Sequence, residues 1–402
     1  MITLSIIAST LSMAGGYKIP EQSLNSLALG AAYVAHTSGA DTAYFNPANM
    51  AFMGGNHFIE GGITLVHLPA NVYTLAEPFS GQSEEENILM PTMHYVAPAQ
   101  GKIRWGVSMI VPGGLTKRWE TPYQKLYAEE FTLKNVEINP VISYKVNDKL
   151  AIGGGVRLIY SEGIVNSDGG DLAPVKREME GSTFAFGYNL AMSYKPREDV
   201  TFAMTYRSQI DLDEEGKANL YFGGVGQQFD AEVSVPLPAS FNVSIARTWE
   251  KKYTLEVNYE RTYWSAYENL DFNYNRPIQA GLISIFDAPI ARNWVDTNSF
   301  RLGATIQANE KTTIMAGIGI DKTPVPSETI GFELADSDAI IFSMGFRYQY
   351  SKAISIGAGL LYSNKEERSL VAGVAENAIL AQGGTFSEGG AVLTTLGFSY
   401  EF

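Results

Sequence analysis

Thr395-Leu396-Gly397-Phe398-Ser399-Tyr400-Glu401-Phe402 is the stretch whose alternation decides the fold. Successive side chains of a β-strand point to opposite faces. Leu396, Phe398, Tyr400 and Phe402 therefore share one face, and Thr395, Gly397, Ser399 and Glu401 the other. The period recurs upstream. Phe184, Phe186, Tyr188, Leu190, Met192 and Tyr194 alternate with Gly187, Asn189, Ala191 and Ser193. Phe342, Met344, Phe346, Tyr348 and Tyr350 alternate with Ser343, Gly345, Arg347 and Gln349. One face is apolar and aromatic each time, and the other is small and polar.

Applied along the chain, this reading predicts fourteen strands, near 57–72, 87–97, 101–112, 129–147, 149–165, 179–195, 199–212, 232–249, 251–271, 294–308, 310–321, 338–350, 352–365 and 389–402. Their connections alternate in kind. Tight turns such as Pro98-Ala99-Gln100-Gly101 and Val146-Asn147-Asp148-Lys149 stand against long loops at about 112–128, 166–178, 213–231, 272–293, 322–337 and 366–388. An even number of strands, short turns on one side and long loops on the other mark an outer-membrane barrel. Closure also removes the exposed edges of such a sheet.

Composition agrees. Only 18% of the 402 residues are charged, against about 25% in an ordinary soluble domain, and the chain carries 22 Tyr, 20 Phe and 39 Gly. It contains no apolar run of about 18 residues, the length a transmembrane helix requires. Half of each strand facing lipid accounts for low charge without such a helix. The formal net charge of −14 opposes a grip on nucleic-acid phosphates. The absence of cysteine excludes a disulfide framework and Cys-based metal sites, and fits folding in a periplasm without disulfides.

Residues 1–14 read as a cleavable signal peptide. Leu4, Ile6, Ile7, Ala8 and Leu11 form an apolar centre, and Ser12-Met13-Ala14 offers small residues at a cleavage site, although no Lys or Arg precedes the centre. Residues 15–55 break the strand pattern. Ser23 to His36 is rich in Leu and Ala and predicts a helix. Too short to be a domain, this segment is expected to plug the lumen of the barrel, residues 56–402.

The N-terminal block Gln22-Ser23, Leu29-Gly30-Ala31-Ala32-Tyr33 and Asp41-Thr42-Ala43-Tyr44-Phe45-Asn46-Pro47-Ala48 resembles the hatch of the FadL/TodX-type transporters of long-chain fatty acids and other hydrophobic compounds. Gly114-Leu115-Thr116, Leu237-Pro238-Ala239-Ser240, Trp264-Ser265, and Asp321-Lys322-Thr323-Pro324-Val325-Pro326 resemble further segments of that family, in the same order. The resemblance implies capture at outer loops, a site inside the barrel, and sideways release beside an inward kink of the third strand. Here that kink falls at Val111, Pro112, Gly113 and Gly114. A proline and paired glycines weaken ladder pairing; the alternative is that these residues simply begin a loop.

Parity places Arg104, Arg157, Arg207, Arg301 and Arg347 on the lumen side. Arg157, Arg207 and Arg301 fall roughly 18 Å up a wall about 25 Å tall. Each is a candidate to hold a carboxylate through paired, charge-assisted hydrogen bonds, or else to pair with lumen acids or hatch carbonyls. Family members carry a basic residue further along the fifth strand, where Ser161-Glu162 stands here; this favours a neutral hydrocarbon or aromatic ligand. Asn46, Pro47 and Ala48 form a turn signal, expected to anchor the hatch more than to touch ligand. Leu115, Trp119, Tyr123, Leu126, Tyr127, Leu220, Tyr221, Phe222 and Phe229, apolar residues in predicted long loops, are candidates for an outer capture site or for a mini-core.

Catalytic patterns are missing. His36, His57, His67 and His94 have no ligand spacing, Gly61-Gly62 and Gly153-Gly154-Gly155 lie within strands, and Glu84-Glu85-Glu86 reads as a solvated loop more than a Ca²⁺ or lipopolysaccharide site. No enzyme activity, cofactor or metal is expected. The expected partners are a hydrophobic small molecule, outer-membrane lipid, and barrel-assembly machinery through Phe402, with the barrel a monomer. A porin or adhesin barrel is the competing reading.

Overall fold

Alternation of apolar and small residues produces fourteen wall strands: β1 Phe58–Leu68, β2 Glu86–Val96, β3 Ile103–Ile110 resumed as Gly114–Arg118, β4 Glu130–Lys145, β5 Leu150–Asp168, β6 Val175–Arg197, β7 Val200–Arg207 resumed as Ile210–Phe222, β8 Val225–Leu237 resumed as Ser240–Trp249, β9 Tyr253–Thr262, β10 Thr297–Gln307, β11 Thr312–Asp321, β12 Ala339–Gln349, β13 Ile354–Lys365 and β14 Ala391–Glu401. This computed structural model describes residues 15–402; the predicted signal peptide lies outside the described residues. Neighbouring strands pair antiparallel, and β1 pairs with β14 from Phe58↔Glu401 to His67↔Val392, so the sheet closes. On β12, Ile340, Phe342, Met344, Phe346 and Tyr348 point outward and are exposed, while Ala339, Ile341 and Ser343 face the interior and are buried. Turns at 97–102, 146–149, 198–199, 250–252, 308–311 and 350–353 lie at one end. The long connections at the other end pack Tyr73, Trp119, Trp264, Trp294, Phe332 and Phe386 into a shared apolar core.

The predicted loop at 213–231 is a correction. Ile210–Phe222 and Val225–Leu237 form a hairpin closed by Gly223 and Gly224, both at positive φ. Its outward face carries Asp211, Asp213, Glu215 and Lys217, all exposed, while Leu212, Ala218 and Leu220 are buried. Here polar residues face out and apolar ones in, the reverse of a lipid-facing strand, so a search for apolar outward faces passes over it.

Most residues from 17 to 50 are buried, packed against the inner face of the wall. The helix predicted over 23–36 is shorter, α1 Leu24–Ala28, capped by the Ser23 hydroxyl, which accepts from the Ser26 amide at 3.2 Å. Gly30 and Ala31 at positive φ end it. Leu24, Leu27, Ala28 and Leu29 are buried against the wall. A Cβ on Gly317 of β11 would overlap the Leu29 carbonyl, so the wall is glycine where the hatch backbone touches it. Gly317→Val is expected to push α1 off β11 and raise proteolytic cleavage within residues 15–55 while the barrel stays folded. Unchanged cleavage would remove this contact from the docking of the hatch.

Candidate functional site

The predicted kink interrupts β3 rather than ending it. Pairing of β2 with β3 runs only from Met93↔Met109 to Val96↔Gly106. The chain then turns inward, and Gly114–Arg118 pairs with β4 alone, from Gly114↔Lys134 to Arg118↔Glu130. Residues 87–92 of β2 therefore face a gap about 20 Å long at roughly 3.3 Å per residue. A bidentate ion pair of Arg118 with Glu86, 2.8 Å at both oxygens, closes its loop end. Pro91 lies on this lip; proline lacks a ladder N–H and suits an edge, a signal for the gap that the sequence reading missed.

The inward turn is held by the hatch. The Ile19 amide donates to the Pro112 carbonyl at 3.0 Å and the Gly114 amide to that of Tyr17 at 2.9 Å. The Gln22 side chain bonds Val111 twice, donating to its carbonyl at 2.6 Å and accepting from its amide at 2.9 Å. Residues 17–19 are clamped in turn. The Tyr17 ring sits 4.8 Å from Trp264 and 5.7 Å from Trp294, and its hydroxyl donates to the Pro236 carbonyl. Lys18 pairs with Glu260. Glu21 is buried beside the Arg301 and Asp321 charges; burial lifts its carboxyl to about 7, against the pull of Arg301.

Behind the gap lies a cavity of about 440 Å³. Its walls include interior residues such as Met90 and Leu133 and also outward-facing Leu89 and Val136, so it crosses the wall. The lining is mostly apolar; Lys117, Lys365, Asn71 and Asn135 supply polar atoms. Lys117 Nζ lies 3.3 Å from Ser83 Oγ, and Lys365 pairs with Asp336 at 2.7 Å.

Arg157, Arg207 and Arg301 face the interior, but none lines this cavity. Arg157 and Arg207 share the Glu137 carboxylate, Arg157 at 3.0 Å, and Arg207 also stacks over Tyr44 of the hatch. Arg301 bridges Glu260 at 3.0 Å and Asp321 at 2.9 Å. Arg104 donates to the carbonyls of Ala97, Met50, Gly54 and Asn56, and Arg347 pairs with Glu60 and donates to Asn25 at 2.6 Å. The alternative of pairing with lumen acids or hatch carbonyls is the one the structure shows; the sequence reading named none of the acids, although the same parity places Glu60, Glu137, Glu260 and Asp321 inside.

Asn46, Pro47 and Ala48 fasten the hatch to the wall. Asn46 donates to the Val34 carbonyl and to Ser193 Oγ of β6, both at 2.8 Å, and accepts from the Ala48 amide at 3.2 Å. Pro47 opens a 3₁₀ turn, Pro47–Phe52, and a Cβ on Gly153 of β5 would come within 2.7 Å of the Ala48 nitrogen. Glu256 of β9 accepts from three successive hatch amides, Val34, Ala35 and His36, at 2.6, 2.8 and 2.7 Å.

The predicted capture residues separate. Leu115 lines the cavity. Trp119 is fully buried and donates from Nε1 to the Phe332 carbonyl at 2.9 Å, and Tyr123 packs on Phe79 at 4.7 Å. Leu220 is buried inside the 210–237 hairpin and Phe222 is exposed at its tip. Leu126, Tyr127 and Phe131 line a second cavity, of about 570 Å³, between the outer loops.

A family model described as outer membrane protein transport protein (OMPP1/FadL/TodX) matches residues 5–402. The chain is 25% identical over 443 residues to the long-chain fatty acid transport protein of Salmonella typhi, covering 98% of this chain and 96% of that protein. It is 21% identical over 416 residues to outer membrane protein P1 of Haemophilus influenzae, with 90% and 88% covered. Among solved structures, a Pseudomonas aeruginosa FadL homologue superposes with a TM-score of 0.82 at 17% identity, covering 96% of this chain and 99% of that one. The P. putida toluene transporter TodX gives 0.74 at 15% identity, with 94% and 98% covered. These two likenesses show the plugged barrel fold.

Proposed function

The chain belongs to the OMPP1/FadL/TodX family of outer membrane transport proteins, and from that membership we propose that it admits hydrophobic small molecules by diffusion through the cavity behind the β2–β3 gap. It is an outer-membrane barrel of the FadL/TodX transporter type. In this reading, ligand is captured among the outer loops, enters the 440 Å³ cavity and leaves sideways between β2 and the turn at Val111–Gly114. The observation that carries it is the cavity lining, which joins buried Met90 to outward Leu89 without an intervening ladder. An apolar pocket with few polar groups suits fatty acids, alkanes and monoaromatics alike. In this reading Arg157, Arg207 and Arg301 hold the wall and hatch together and do not bind headgroups, because their charges are already met by Glu137, Glu260 and Asp321.

The cysteine-free sequence makes the test direct. Leu115→Cys is expected to take up a fatty acid, an n-alkane and a monoaromatic as the parent does. Attaching a bulky thiol reagent to that cysteine is expected to reduce uptake to the level of cells lacking the protein. Undiminished uptake after complete labelling sinks the route.

A further inference from the structure

Resting on that transport reading, we propose that the outer cavity is selective for a carboxylate head and that Arg177 is the residue that selects it. Arg177 stands near the loop end of β6 and is only 5% exposed, yet it lines the 570 Å³ cavity. Its Nε and Nη1 are buried without a hydrogen-bond partner. Among the described residues no carboxylate lies within ion-pair distance of it, whereas Arg157, Arg207, Arg292, Arg301 and Arg347 each have one. Its neighbours are the Tyr274 hydroxyl and two rings, Phe272 at 4.2 Å and Phe286 at 5.4 Å from the guanidinium carbon.

A buried cation without a counter-charge is costly, and the cost is recovered when an anion arrives. The rings hold the planar guanidinium by cation–π contact, and its Nε–H and Nη1–H stay unpaired. A guanidinium fork matches the two oxygens of a carboxylate. The nearest acid of the lining, Glu333, is already paired with Arg292 at 2.5 Å, and Glu328 and Glu376 are exposed. Leu126, Tyr127, Ile285 and Ile330 offer apolar surface for the rest of the ligand. The ligand class is therefore an amphiphilic monocarboxylate, bound head inward.

The test is equilibrium binding of laurate and of 1-dodecanol to the full-length protein in lipid nanodiscs, with empty nanodiscs subtracted. Wild type, Arg177→Gln and Arg177→Lys are compared, each first verified as a folded barrel by heat-modifiable gel mobility. Arg177→Gln is expected to weaken laurate by about tenfold or more, the loss of a charge-assisted contact, and to leave dodecanol within about twofold. Arg177→Lys keeps the charge without the fork and is expected to fall between. Equal loss for both ligands, or none for laurate, overturns the selectivity of Arg177 while leaving transport intact. Failure of wild type to bind either ligand overturns the transport reading itself.

Discussion

Glu256→Ala is expected to turn a closed barrel into one that conducts ions in planar bilayers. The Glu256 carboxylate, inside β9, accepts from the Val34, Ala35 and His36 amides and from the Ser244 hydroxyl at 2.7 Å. Three successive amides converging on one carboxylate form a strong, charge-assisted latch. Truncation leaves those amides unpaired in a buried place, at about 1–3 kcal/mol each. The barrel ladder does not depend on them, so the loss falls on the docking of residues 33–37 and opens a water path past the hatch. Glu256→Gln keeps an acceptor but turns an amide N–H toward other donors, and is expected to conduct at an intermediate level. A closed Glu256→Ala pore would falsify the latch. A porin would conduct before any substitution, so the wild-type trace separates that reading at once.

The second large effect is expected at Glu137. This fully buried carboxylate faces Arg157, at 3.1 Å from Nε and 3.0 Å from Nη2, and Arg207. Glu137→Ala strands two buried guanidinium groups. Breaking a buried pair from one side costs about 3–5 kcal/mol, so the temperature at which the barrel loses its compact gel mobility should fall sharply. Arg207→Ala should cost less, because Arg157 still neutralises Glu137. The triple change Glu137→Leu, Arg157→Met and Arg207→Met removes all three charges at similar volume and is expected to recover most of the stability. It also separates structural from ligand roles. If the triple variant folds but loses fatty-acid uptake while keeping alkane uptake, the two arginines act on the ligand after all.

The wall was legible because lipid imposes one rule on every strand that crosses it. Phe342, Phe346 and Tyr348 facing out, with Ser343 and Gly345 opposite, identify β12 without any tertiary information. Parity likewise placed Arg157, Arg207 and Arg301 inside. It did not show their partners, since Arg157 meets Glu137 diagonally across the β4–β5 ladder and Arg207 reaches the same carboxylate from β7, 70 residues on, and both contacts depend on stagger between strands. The 210–237 hairpin was missed because its outward face is charged. Arg177 was missed for a different reason. It is distinguished by having no acid of its own, because Glu333 in the same lining is taken by Arg292, and only the folded arrangement brings these three together.

The meeting of α1 with the far wall also sets an order of events. The Ser343 hydroxyl donates to the Ala28 carbonyl across 315 residues of chain, and Gly317 leaves room for Leu29. The earliest part of the described chain thus finds its seat among strands made late. Such distant contacts return nothing until the intervening polypeptide has been organised, and the entropy of closing that loop comes first. Until then Leu24, Leu27 and Leu29 have no wall to lie on. Assembly is in this sense retrograde: the plug is synthesised before its socket and is seated only when β11 and β12 have formed.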